Sequence, residues 1–312
     1  MPRLPAGTTA LLTFIVLLGC AESSDTGDAA TPDTVAGAGG ADTAPGRIAD
    51  RGFATPESVV HDEVADVYLV SNINGEPLGR DDNGFIARVR PDGTVETLKW
   101  IDGERDDVTL NAPKGLALLG DTLFVADIDS VRAFHRTSGA PLGARGVPGA
   151  AFLNDLAVGP DGALYVSDTG VDASFTSIGK DAVYRFDAAG ATAVASGTDL
   201  AAPNGVVVTD EGIVVVSFGG RAVVRITPDS PARDTIATLP AGQLDGVIRT
   251  GDGAYVVSSW ESSAIYRIAP DGSVTTLAEG LEAPADIGFD ARRERVLVPL
   301  FSANAIEVVP LQ

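Results

Sequence analysis

The chain is poor in cysteine, histidine and positive charge: its 312 residues include one Cys, two His and 22 Lys plus Arg, against 43 Asp plus Glu. A lone Cys excludes any intrachain disulfide, so the hydrophobic core must hold the fold by itself. With so little His and Cys, zinc lacks its usual ligands. The formal charge of −21 makes nucleic acid an unsuitable partner and by itself signals little beyond solubility. No Gly-rich loop opens a helix, which excludes a phosphate cradle of the P-loop or dinucleotide kind. The apolar stretch "ALLTFIVLL" near the start is too short to cross a bilayer comfortably.

What is present begins with that stretch. Arg3 precedes it and "LLGC" closes it at Cys20, a pattern that resembles the bacterial lipobox. The resemblance implies a signal peptide over residues 1–19, cleavage before Cys20 and lipidation of Cys20. The protein is then exported and anchored to a bacterial membrane through the lipid alone. Residues 20–46 are small, polar and acidic without an aromatic residue, so they cannot bury enough surface to order themselves and form a tether.

The remaining residues, 47–312, carry a repeat. One strand pattern returns six times: "DVYLVSNING", "DTLFVADIDS", "GALYVSDTGV", "EGIVVVSFGG", "GAYVVSSWES" and "ERVLVPLFSA". About ten residues earlier each time lies a second run opened by a turn, such as "LNDLAV" or "PNGVVV". A third run follows, as in "AVYRF" and "AIYRI", and Pro-Asp-Gly turns lead into a fourth. Taking the residue after the opening turn as a marker gives Glu57, Lys114, Asn154, Asn204, Asp245 and Ala285, at intervals of 57, 40, 50, 41 and 40 residues. Four short strands per repeat of this length predict an all-β fold, a six-bladed β-propeller with four-stranded antiparallel blades. The two long intervals predict loop insertions in repeats one and three. The last repeat runs out after its third strand, so "GRIADRGFA" is expected to supply the missing outer strand and close the last blade.

Radial repetition brings the marker positions together at one end of a central channel. Glu57, Asn154, Asn204 and Asp245 then offer two carboxylates and two amide oxygens, a hard set of charge −2 suited to Ca²⁺ or another divalent cation. At these residues the chain resembles the gluconolactonase, regucalcin and diisopropyl-fluorophosphatase group of six-bladed propellers. That group places Glu in blade one, Asn in blades three and four, and Asp in blade five around a catalytic divalent cation. The resemblance implies a calcium-dependent hydrolase of lactones or related esters, organophosphates included. Asp245 is then the base or nucleophile as well as a ligand, while Glu57, Asn154 and Asn204 hold the ion. Sugar-lactone members tend to carry Arg two residues before the blade-three Asn, where this chain has Phe152, which disfavours gluconolactone.

Asp155 is expected behind the ligands. Lys114, Phe152, Phe218, Trp260, Phe301 and Asn72 are expected to meet a small-molecule substrate. An aromatic wall of this kind favours an aliphatic or aryl lactone. His61 is expected at the opposite end of the channel and His135 at the periphery, so neither serves a catalytic triad. The protein is expected to be a monomer. The competing reading is a non-enzymatic propeller of NHL type that acts as a surface binding module, in which Asn and Asp merely satisfy turn backbone.

Overall fold

The computed structural model describes residues 46–187, 190–228 and 232–311. The expected signal peptide, Cys20 and all but the last residue of the tether lie outside the described residues.

The short first strand, β1 (Arg47–Ile48), is followed by six runs of inner to outer strands. Blade one contains β2 (Pro56–Asp62), β3 (Val67–Asn72), β4 (Phe85–Val89) and β5 (Val95–Asp102). Blade two contains β6 (Pro113–Leu119), β7 (Thr122–Asp127), β8 (Ser130–His135) and β9 (Pro141–Gly146). Blade three contains β10 (Leu153–Val158), β11 (Leu164–Asp168), β12 (Ala182–Asp187) and β13 (Gly190–Ser196). Blade four contains β14 (Pro203–Thr209), β15 (Gly212–Ser217), β16 (Ala222–Ile226) and β17 (Arg233–Thr238). Blade five contains β18 (Leu244–Arg249), β19 (Tyr255–Ser259), β20 (Ala264–Ile268) and β21 (Val274–Glu279). Blade six contains β22 (Gly288–Asp290), β23 (Arg295–Leu300) and β24 (Ala305–Pro310). All neighbouring pairs are antiparallel, and the result is a six-bladed β-propeller.

The turns follow from their residues. At Pro91-Asp92-Gly93, Gly93 takes φ 85° and its N–H donates to the Arg90 carbonyl, closing the hairpin between β4 and β5. A side chain would be strained in that backbone. Both long intervals are loops between second and third strands, over residues 73–84 and 169–181.

Apolar side chains from the two faces of each sheet pack between neighbouring blades, as Val214, Val223 and Leu244 do with Val257 and Tyr266 across blades four and five. Cores of this kind lie around the ring, so the axis is left for polar groups. The ring closes where β1 pairs with β24, Arg47 opposite Glu307 and Ile48 opposite Ile306. Ile48 and Phe53 are buried in a cluster with Val59 and Tyr68 of blade one and Leu297 and Ile306 of blade six. A buried polar clasp adds to this junction: the Tyr68 hydroxyl donates to Asp290 at 2.6 Å, and Arg295 donates to Tyr68, Asp290 and the Pro91 carbonyl.

Candidate functional site

Every innermost strand from β2 to β18 carries the same irregularity. Its ladder with the second strand shifts register between Pro56 and Val59, Pro113 and Leu116, Leu153 and Leu156, Pro203 and Val206, and Leu244 and Val247. The two residues inside each shift form a β-bulge, and a bulge re-aims side chains that a flat strand would send into its neighbours. The first bulge residue is Glu57, Lys114, Asn154, Asn204 or Asp245. The second is Ser58, Gly115, Asp155, Gly205 or Gly246. The glycines answer to crowding, since a Cβ on Gly205 would lie 2.4 Å from the Asp245 carbonyl oxygen.

The first bulge residues all line one cavity of about 540 Å³ at one end of the channel. Phe152, Phe218, Trp260 and Phe301 line it as well. Phe218 and Trp260 meet edge to face at 5.5 Å, and Trp260 and Phe301 meet tilted at 5.2 Å, so three blades supply one continuous aromatic wall. Lys114 is fully buried, donates to the Ala112 carbonyl at 2.9 Å and lies 4.5 Å from the centre of the Phe152 ring. The polar groups collect at the floor.

Four oxygens at that floor have no hydrogen-bond partner although they are buried: Glu57 Oε2, Asn154 Oδ1, Asn204 Oδ1 and Asp245 Oδ1. Unpaired buried oxygens are costly unless something is meant to fill the space between them. The Asn154 amide is oriented for this purpose, because its Nδ2 donates to Thr169 Oγ1 at 3.0 Å and leaves the oxygen free. Among the described residues no three His, Cys, Asp or Glu side chains cluster as a metal site by themselves. The oxygen-only set of two carboxylates and two amides nevertheless fits a hard divalent cation that completes its shell with water.

Electrostatics supports the same fit. Burial pushes the Glu57 carboxyl well above the ordinary range, and repulsion from Asp245 and Asp286 adds to it. Burial and then Asp286 do the same to Asp245. Burial and then Asp286 also raise Asp155, while burial brings Asp286 to about 7. Burial lowers Lys114 to about 8, against the pull of Glu57. Four carboxyls share the channel with one ammonium.

Carboxyls whose folded pKa is raised favour the folded state below their unfolded value near 4 and lose that contribution as pH rises through their folded values. Asp62, Asp66 and Asp290 are shifted down, so their contribution is lost only as pH falls below about 4. The melting temperature of the chelated protein is therefore expected to fall between about pH 4 and pH 7. Calcium at a hundred times its Kd should add about 2.7 kcal/mol, or roughly 5–10 °C, at the upper end of that range and little at the lower end. Thermal melts across pH, with chelator and with calcium, check this. A calcium increment equal at both ends would contradict it.

Residues 82–285, well over half of the chain, match the family described as the SMP-30/gluconolactonase/LRE-like region. The chain belongs to this family. The matched segment contains Asn154, Asn204 and Asp245, and Glu57 joins them through the geometry of blade one. Among solved structures, a gluconolactonase from Xanthomonas campestris is 19% identical with a TM-score of 0.64, over 83% of this chain and 87% of that one. A regucalcin from Agrobacterium tumefaciens, described as a calcium-binding protein, is 17% identical with a TM-score of 0.59, over 82% and 85%. A virginiamycin B lyase from Staphylococcus aureus is 15% identical with a TM-score of 0.55, over 84% and 97%. Likeness at these identities shows the fold alone. No curated protein matches significantly.

In this member of the SMP-30/gluconolactonase/LRE-like family, one residue expected at the substrate lies elsewhere. Asn72 is fully buried and does not line the cavity; its Oδ1 accepts the Ala54 N–H and its Nδ2 donates to the Val70 carbonyl. It ends the second strand of blade one, where Asp127 and Asp168 in blades two and three likewise bind the backbone of their own opening turns. Asn72 is therefore an anchor of the blade. Asp155 lies below the four oxygens, accepts the N–H groups of Leu156 and Val206, and lines a second cavity at the opposite end of the channel. Asp286, which the sequence reading passed over, stands in the equivalent place in blade six and accepts from Ser58 Oγ at 2.5 Å. Its signal was its position directly after the marker Ala285. His61 lines the opposite cavity and faces Asp66 at 3.0 Å, while His135 accepts N–H groups of its own turn.

Proposed function

We propose that the protein is a divalent-cation-dependent hydrolase of lactones or related esters, with organophosphates as further candidates, acting at the floor of the aromatic-walled cavity. The observation that carries this reading is the set of four buried, unpartnered oxygens supplied by four different blades. Calcium suits their hardness and their charge of −2. The names borne by the gluconolactonase and the calcium-binding regucalcin support both the reaction class and the ion. A bound cation would supply Lewis acidity toward a carbonyl or phosphoryl oxygen.

Glu57, Asn154 and Asn204 would hold the ion. Asp245 would share in holding it and use its remaining capacity to take a proton from water or to attack the substrate directly. The Lys114 ammonium would favour negative charge growing on the substrate in a site with little water. The wall formed by Phe218, Trp260 and Phe301 would keep water from the floor and receive the apolar part of the substrate. The lyase is also described in a catalytically inactive histidine-to-alanine form, whereas no histidine lines this cavity, which supports hydrolysis over a lyase reaction. Export and anchoring through Cys20 would put the activity of a monomer on the periplasmic or cell-surface side of a bacterial membrane.

A panel of lactones, aryl esters and organophosphates tests the reading. Turnover of at least one class is expected, with loss of nearly all activity on chelation and its return with calcium. Turnover that survives chelation would overturn the cation's role. No turnover of any class with calcium present would leave a binding propeller.

A further inference from the structure

We propose that Phe175 determines specificity at this site and selects lactones or esters that carry an apolar alkyl or aryl tail. The inference takes its chemistry from the hydrolytic reading above, but its binding claim stands apart from turnover.

Phe175 belongs to the insertion in blade three, where Val171 and Ser177 pair across a tight hairpin. The Asp172 carboxylate accepts the Ser174 and Thr176 N–H groups, and the Phe175 N–H donates to the Asp172 carbonyl. These bonds hold Phe175 at φ 56°, a backbone conformation uncommon for a bulky residue. The hairpin thus presents one ring at a fixed place. That ring lines the cavity and tilts against Phe152 with centroids 6.0 Å apart, yet Phe175 is 60% exposed. An aromatic side chain that is both part of a binding wall and largely open to water has a face left for a ligand to cover.

The rest of the cavity decides what that ligand is. Its volume of about 540 Å³ suits a drug-sized molecule and far exceeds the needs of a bare lactone ring. Above the floor the lining is mostly apolar, with Ile73, Pro77, Val171 and Ala202 beside the aromatic rings, and Thr169 Oγ1 is already engaged by Asn154 and the Pro203 carbonyl; the Ser177 hydroxyl and the buried Trp260 Nε1 are the polar groups the walls offer a ligand. A polyhydroxylated ligand would bury more hydroxyls than these two groups can partner, whereas an apolar tail between Phe175 and the Trp260 wall brings none.

Two substitutions test the assignment. Phe175→Asn removes the ring with a residue that tolerates the left-handed backbone, and Phe175→Tyr keeps the ring. Binding is read from Trp260 fluorescence in a Trp100→Phe background, which responds whether or not turnover follows. For γ-undecalactone the Asn variant is expected to bind about tenfold more weakly and the Tyr variant within about twofold of the parent. For γ-butyrolactone both should stay within about twofold. An equal loss for both lactones, or no loss for γ-undecalactone, overturns the assignment. So does a parent protein that binds γ-undecalactone no better than δ-gluconolactone. Binding that follows the expected pattern without hydrolysis in the presence of calcium upholds the selection and overturns the hydrolytic reading.

Discussion

Asp245→Asn is expected to lower kcat/KM on a good lactone substrate by about 10²- to 10⁴-fold, and excess calcium is expected not to restore it. Asn keeps an oxygen near the place of Asp245 Oδ1, one of the four unpartnered oxygens of the floor, so four protein oxygens still face the ion. What disappears is the capacity to take a proton or attack. The chelated variant should melt no lower than the parent, because a neutral side chain relieves the repulsion that Asp286 exerts on Asp245 and the repulsion that Asp245 exerts on Glu57. Glu57→Gln makes the contrast. It removes one of two ligand charges but leaves Asp245 untouched, so its loss lies in cation affinity and calcium should restore most of its activity. Calcium titrations of kcat/KM for both variants check the pair. Full rescue of both would make Asp245 a plain ligand, and full activity of both without added cation would defeat the metal-site reading.

Removing the closing strand should cost about as much free energy in stability as the first substitution costs in the barrier to reaction. A chain beginning at Pro56 lacks Ile48 and Phe53, which are 3% and 5% exposed in the cluster between blades one and six. Burying two such side chains contributes about 3–6 kcal/mol, and the ladder bonds of β1 to β24 go with them. For a domain of this size the melting temperature should fall by roughly 10–20 °C relative to a chain beginning at Gly46. The clasp of Tyr68, Asp290 and Arg295 remains and should keep the ring folded at lower temperature. Equal melting temperatures for the two chains would show that β1 does not close the ring.

The repeat made most of this architecture legible. Each blade restates the same strand pattern, so six weak signals reinforce one another, and the short last repeat pointed to a strand borrowed from the N-terminal side. The marker residues were legible for the same reason: position within a repeat fixes position around the axis. Asn72 was misread because its neighbourhood in sequence lies near the channel mouth, while its hydrogen bonds are those of an anchor shared with Asp127 and Asp168. Phe175 was missed because an insertion has no counterpart in the other repeats against which to register it. Only the folded hairpin brings it onto Phe152.

The sequence by itself determined the six blades, the borrowed closing strand and the identity of the four floor oxygens, because these depend on local strand and turn chemistry repeated at a constant period. The tertiary structure decided which atoms are left without partners, which aromatics share a wall, and that Asp155 and Asp286 meet below the site. Those facts turn on the bulge that aims each marker side chain and on distances between residues as far apart as Glu57 and Asp286. Burial and charge act through space, and a linear pattern carries no measure of that space until the ring has closed.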